Sequence, residues 1–405
     1  MENDMIIQRQ TSPPVPQRKA FVLLLALACL FPFMSPAAES VPPATGAADS
    51  LVTLTRKVRP DFLLGSMASG LDPGREGNQP LADFFLRNFN IMTVGVYMQG
   101  TQRQPGAFNF EKTDALIAFA HENNLKMYLH PLIGGSEYTP KWVNEGGLSA
   151  EALHQLMRDR ITTILTRYKG RIHYVDVVNE SLTGKGRKPD GQFDWQEKAY
   201  RGGDHVWFKT LGMYQGKKQQ FPRYLVEAFR IAREAGGPDL KLILNEWANE
   251  TTKSSRGLPF LALIQAMQEE GIPVDGAGLQ LHCRLKDGKL HGWANNLTFD
   301  FDAFDAMLKL YAQAGIEVHI TEFDIHLGPN PTPNDYELQG KYYAEVLQHA
   351  LKSPAVKSFK TWGFTDRHSW KSDGKDGHPL MLDENLQLKP AYLRQVEMLR
   401  DLAAP

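Results

Sequence analysis

From Phe62 onward, short apolar runs alternate with longer amphipathic stretches. The runs are Phe62–Gly65, Asn90–Val94, Lys126–His130, Ile172–Val178, Lys241–Leu244, Gly276–Leu281, Glu317–Thr321 and Ser358–Gly363. Their length and their β-branched and aromatic content predict buried strands. Between them, Glu111–Asn123, Ser149–Tyr168, Pro222–Ala235, Phe301–Ala314 and Tyr336–Leu351 place apolar residues at helical spacing. Regular strand–helix alternation indicates a parallel sheet with helices outside it, and about eight repeats point to an α/β fold of the (β/α)8 TIM barrel type. No internal repeat and no second folded domain is visible. The main irregular insertion, Ser181 to Gln220, is expected to wall a cleft at the strand ends.

Two of the strands end on a glutamate. Ile172-His-Tyr-Val-Asp-Val-Val-Asn-Glu180 runs straight into the turn formers Ser181-Leu-Thr-Gly-Lys-Gly186, and Gly315-Ile-Glu-Val-His-Ile-Thr-Glu322 leads into Phe323-Asp-Ile-His326. Carboxylates at the carboxyl ends of barrel strands face the loop-lined rim where such folds carry chemistry. Either glutamate alone fits a loop salt bridge or a helix cap equally well. Two together suit the cleavage of an acetal between sugars, where one acid protonates the leaving oxygen and a second carboxylate attacks or activates water. Asn179, beside Glu180, can donate an amide bond to a sugar hydroxyl, and Gln280 and His282 end the strand that precedes Glu322.

Composition adds bounds. The chain has 405 residues, 42% hydrophobic and 22% charged, with a net charge of −1. Nothing in that balance calls for nucleic acid or an anionic membrane. Residues 1–38 read as an export signal: Arg18-Lys19 is the basic start, Phe21 to Ala28 the apolar core, and Ser35-Pro-Ala37 the cleavage site. That core is too short and too broken by Pro32 to span a bilayer. Ala26-Leu-Ala-Cys29 is a poor match to a lipoprotein box. Residues 39–50 form a linker of small residues and proline, and 51–405 the catalytic domain. The expected product is a secreted or periplasmic monomer. Once Cys29 leaves with the signal, Cys283 has no disulfide partner and is expected to be a buried apolar residue. The histidines lack paired ligand spacing, so no metal and no cofactor is expected.

Six motifs in order resemble family 10 of the glycoside hydrolases, the barrel-fold endo-β-1,4-xylanases. Tyr174-Val-Asp-Val-Val-Asn-Glu180 is similar to the family's acid/base strand and Leu242-Ile-Leu-Asn-Glu-Trp247 to its Asn-Asp-Tyr strand. Val274-Asp-Gly-Ala-Gly-Leu-Gln-Leu-His282 matches its Asp-Gly-x-Gly-x-Gln-x-His strand, and Val318-His-Ile-Thr-Glu-Phe-Asp324 its nucleophile strand. Thr361-Trp-Gly-Phe-Thr-Asp-Arg-His-Ser-Trp370 and Leu388-Lys-Pro-Ala-Tyr392 complete the set. The resemblance implies a retaining enzyme with Glu180 as acid/base and Glu322 as nucleophile. It also implies that His130, Asn179, Gln280 and His282 hold the sugar at the cleavage point between Trp362 and Trp370. Asn245, Asp324 and Asp366 would orient them. The implied partner is a polysaccharide such as xylan.

The chain departs from the pattern on the non-reducing (glycone) side. Where the family shows Thr-Pro-Glu-Asn-Glu-Met-Lys-Trp, this chain has Thr93-Val-Gly-Val-Tyr-Met-Gln-Gly100, so Gly95, Val96 and Gln99 replace polar grips. Where the family shows Gly-His-Thr-Leu-Val-Trp-His, the chain has Leu129-His-Pro-Leu-Ile-Gly-Gly135, and Val175 replaces the tryptophan that opens the acid/base motif. A roomier glycone site at Gly134-Gly135 is expected, lined by Tyr97, Tyr128 and Glu137 and admitting a decorated or different sugar. Two other functions remain open at this point: hydrolysis of another β-linked glycan such as a glucan or mannan, and glycan binding without turnover.

Overall fold

The structure is a computed structural model that describes residues 49–183, 199–200, 205–292, 297–370 and 377–404. The expected export segment and nearly all of the linker lie outside the described residues, as do residues 184–198 and 201–204 of the insertion after Glu180. Among the described residues, no helix is long and apolar enough to cross a membrane.

Eight parallel strands close into a barrel: β1 Leu63–Met67, β2 Ile91–Gly95, β3 Lys126–His130, β4 Tyr174–Asn179, β5 Lys241–Glu246, β6 Gly276–Leu279, β7 Glu317–His326 and β8 Val356–Thr361. Each pairs with the next, β6 pairs with β7, and β8 returns to β1, so the ring has no free edge. Helices lie between consecutive strands. Ser149 caps Ala150–Arg167 by accepting from the Ala152 amide, and Thr332 with Asp335 forms a capping box on Pro333–Lys352. The helices Gln79–Asn88 and Gly257–Glu269 complete the outer layer; the sequence spacing did not single them out.

The two-residue period of a strand sorts its side chains into two layers. Met92, Met127, Val175, Leu242, Ala277 and Val318 point outward and join the large core under the helices. Ile91, Tyr128 and Ile243 face the other way and make a small separate cluster with Leu63 and Tyr174. Two residues further along the same strands come His130, Asp176 and Asn245. One periodicity therefore builds the packed axis and the site above it.

β7 is ten residues long and outruns the barrel. Its second half pairs with His282–Lys286, with Asp324 opposite His282, and that segment forms a hairpin with Lys289–Gly292. The described part of the insertion consists of a helix, Val206–Leu211, and a hairpin of Met213–Gln215 with Gln220–Pro222. Cys283 is buried and free, and burial pushes its thiol well above the usual range.

Candidate active site

Glu180 and Glu322 both come to the rim, and both are largely buried. Glu180 sits one residue past β4 with φ 61°, a left-handed conformation that costs a non-glycine residue about 1 kcal/mol or more. Its amide is held by the Asn245 carbonyl at 2.9 Å. Its Oε1 accepts from Gln280 Nε2 at 3.1 Å and from Asn179 Nδ2 at 3.4 Å. Leu281 is also left-handed, with φ 62°, and this bend lets both Gln280 and His282 turn toward the site.

Glu322 is gripped at both oxygens. Asn245 Nδ2 donates to Oε1 at 2.7 Å, and His282 Nε2 lies 3.2 Å from Oε2. The Glu322 amide also donates to the Gln280 carbonyl at 3.1 Å. Gln280 thus contacts both glutamates, and Asn245 bridges Glu322 to Asn179 Oδ1 at 2.9 Å. Thr321 fixes the Asn245 amide orientation by donating to its Oδ1 at 2.8 Å.

Both ring nitrogens of His282 face carboxylate oxygens, since Nδ1 lies 2.9 Å from Asp324 Oδ1. Two acceptors require two donors, so the imidazole is held as a cation. Burial opposes that charge, but Asp324 and Glu322 outweigh it and raise the pKa to about 10. Asp324 itself is held well below the usual carboxylate range: burial is overcome by His282 and His326. Its Oδ2 accepts from Trp370 Nε1 at 2.8 Å, which anchors an indole that remains 45% exposed and lies beside the His282 ring. On the opposite wall, His130 Nδ1 pairs with Asp176 Oδ2 at 2.7 Å and lies 3.9 Å from Glu322 Oε1. Burial disfavours its charge, yet Glu322 and Asp176 prevail and raise its pKa. Trp362 stands edge-on to His130 with centroids 5.0 Å apart.

Asp366 lies elsewhere. Its side chain accepts from Lys389 Nζ at 2.7 Å and from the Leu380 amide at 2.8 Å, so it anchors the start of the last helix to the loop after β8. The ligand atoms of Asp366, His378 and Glu384 lie within 4.8 Å of one another. The Lys389 ammonium already lies against Asp366 and supplies the positive charge there.

The space expected at Gly134-Gly135 is filled. Tyr138 and Glu137 fold back over these glycines, and Tyr138 stacks on Tyr97 with centroids 5.2 Å apart. Tyr128, expected to line the cleft, is instead fully buried beneath it and donates to Asp176 Oδ1 at 2.5 Å.

Two further groups were not singled out as site residues, although Glu246 falls in the motif matched to the Asn-Asp-Tyr strand. Glu246 is buried next to Asn245, accepting from the Leu182 amide at 2.8 Å and the Trp247 amide at 3.1 Å. Burial raises its pKa to about 7; Arg256 opposes this and Glu180 adds to it. Lys360 is buried on β8, its Nζ 3.8 Å above the Tyr128 ring and 2.9 Å from Ser358 Oγ. Burial depresses its pKa to about 7.

The model for glycosyl hydrolase family 10 matches residues 56–398. The chain belongs to that family. Endo-1,4-beta-xylanase B of Thermotoga neapolitana is 28% identical over 78% of this chain and 82% of its own length. Endo-1,4-beta-xylanase A of Caldicellulosiruptor saccharolyticus is 30% identical, with 77% and 87% covered. The crystal structure of xylanase 10B from Thermotoga petrophila in complex with xylobiose superposes with a TM-score of 0.72 at 27% identity, covering 88% of this chain and 98% of that one. Family membership and the barrel agree with the motif resemblance. The roles of individual residues in this chain rest on its own geometry.

Proposed function

We propose that this family 10 enzyme hydrolyses β-1,4-xylosidic bonds within xylan or xylo-oligosaccharides with retention of anomeric configuration. The observation that carries the reading is the shared clamp on Glu180 and Glu322, made by Asn179, Asn245, Gln280 and His282. It holds the two carboxyl groups in one hydrogen-bonded network, and the retaining reading requires them to lie about 5–5.5 Å apart. The relatives' names and the xylobiose complex support the choice of substrate.

In this reading the Glu180 proton passes to the leaving oxygen as Glu322 attacks the anomeric carbon and forms a glycosyl ester. Water then attacks that ester with Glu180 as base, which breaks the bond to Glu322 and restores both groups. Asn179, Gln280, His130 and His282 hold sugar hydroxyls at the cleavage point, and Trp362 and Trp370 supply apolar faces for the ring's C–H groups. Residues 1–38 direct export, and the mature protein acts as a monomer.

The test is proton NMR of xylo-oligosaccharide hydrolysis, which identifies the anomer first formed, with Glu322→Ala alongside. First appearance of the α-anomer would exclude retention. Silence on xylan with turnover of β-glucan or mannan would move the substrate and keep the mechanism. Silence on all of them would favour a binding protein.

A further inference from the structure

Three glycines stand on the glycone side, and none leaves a gap. A Cβ on Gly95 would lie 2.9 Å from Cε2 of Tyr97, and one on Gly134 would lie 2.8 Å from Cδ2 of Tyr138. A Cβ on Gly135 would lie 2.4 Å from Oε2 of Glu137. Each distance is below ordinary van der Waals contact. The glycines are the spaces into which two rings and a carboxylate fold.

The loops that carry those rings are tied down. Arg160, wholly buried, donates to the Leu132 carbonyl at 2.8 Å, to Thr101 Oγ1 at 3.1 Å and to the Val96 carbonyl. One guanidinium thus holds both sides of Tyr97 and the start of the loop to Tyr138. Gln99 Nε2 joins the two loops by donating to the Glu137 carbonyl at 2.6 Å. Tyr97 meets His130 edge-on, with centroids 5.4 Å apart, which sets its ring beside the cleavage point, and both tyrosines are half-buried. Burial and then the charge of Glu322 keep the Tyr97 phenol protonated, so it meets substrate as a neutral ring.

We propose that Tyr97, backed by Tyr138, is a specificity-determining wall that grips the second sugar on the non-reducing side of the cleavage point through ring surface. This rests on the glycosidase reading above. Such a wall binds the C–H face of a pyranose and is tolerant of its hydroxyl pattern. Tyr138 acts as a positioning residue through Tyr97, and Gly134 acts through Tyr138.

The experiment compares kcat/KM for aryl β-xylobioside and aryl β-xyloside, which share one leaving group and differ by one glycone sugar. For Tyr138→Ala and Gly134→Ala, the two-sugar substrate should lose at least tenfold more than the one-sugar substrate. Tyr138→Phe should hold the wild-type ratio within about twofold, because the ring and not the hydroxyl makes the wall. An unchanged ratio in Gly134→Ala, or equal loss on both substrates, would overturn the proposal, as would a ratio that rises. If the wild type hydrolyses neither xyloside, the substrate reading fails, and the same ratio on aryl β-cellobioside and β-glucoside decides the wall. Silence on both pairs overturns both.

Discussion

Asn245 reaches Glu322 across an intervening strand. Asn245 lies on β5 and Glu322 on β7, and β6 runs between them with Gly278 in register beside Asn245. A Cβ on Gly278 would lie 2.2 Å from Asn245 Oδ1, so the 2.7 Å bond to Glu322 exists because β6 carries no side chain at that point. Gly278→Ala is therefore expected to act on Glu322 without touching it. Its kcat should fall at least tenfold, as in Asn245→Ala, and the double variant should be no worse than the worse single one. Additive losses in that cycle would mean the glycine matters for packing alone.

The two glutamates should separate kinetically. Glu322→Ala is expected to abolish turnover of every substrate. Glu180→Ala should lose about 10²–10⁴-fold on xylo-oligosaccharides, the usual worth of general acid–base catalysis. It should lose far less on aryl xylosides whose leaving group needs no proton, and azide should then restore turnover as the β-glycosyl azide. An α-azide product would reverse the two assignments.

His282 predicts a pH-dependent contribution to stability. Its folded pKa of about 10 lies above the ordinary 6.5, so the native state binds the extra proton. The stabilisation is fully present below about pH 6.5 and is lost as pH rises through about 10. Denaturant titrations of the wild type and His282→Gln should therefore show a gap that is widest near pH 6 and narrows steadily toward pH 10. A constant gap would mean that the proton is not shared with Glu322 and Asp324.

Lys360 predicts the opposite trend. Its pKa of about 7 lies below the ordinary 10.5, so the unfolded chain binds the proton more tightly. Wild-type stability from this group rises between about pH 7 and 10.5. Lys360→Met removes a buried charge, and its advantage over the wild type should be greatest below pH 7 and shrink above it. Thermal unfolding at pH 6 and pH 9.5 checks the sign.

Much of this was legible beforehand because strand chemistry is local. An apolar run that ends on a polar residue places that residue at the rim, and this sufficed for Glu180, Asn179, Gln280 and Glu322. The helices Glu111–Glu122 and Phe301–Gln313 fall within a residue of their predicted limits. The features that escaped depend on contacts between distant segments. Gly278 has meaning only beside Asn245 on the neighbouring strand. His282–Lys286 became a strand because β7 runs past the barrel to pair with it. Asp366 sits in a matched motif, yet Lys389, from the start of the last helix, takes its charge.

The two carboxylates are mounted differently on their strands. Glu322 lies inside a ten-residue strand, at a register shift where its amide is tied to the Gln280 carbonyl, whereas Glu180 hangs from a left-handed bend beyond the end of its strand. Attack on the anomeric carbon is thus built on a residue within a strand, and proton delivery on a residue just beyond one. Warming short of unfolding should blur the second function before the first. The enzyme would then lose natural glycosides, which need the proton, at temperatures where activated aryl glycosides still turn over.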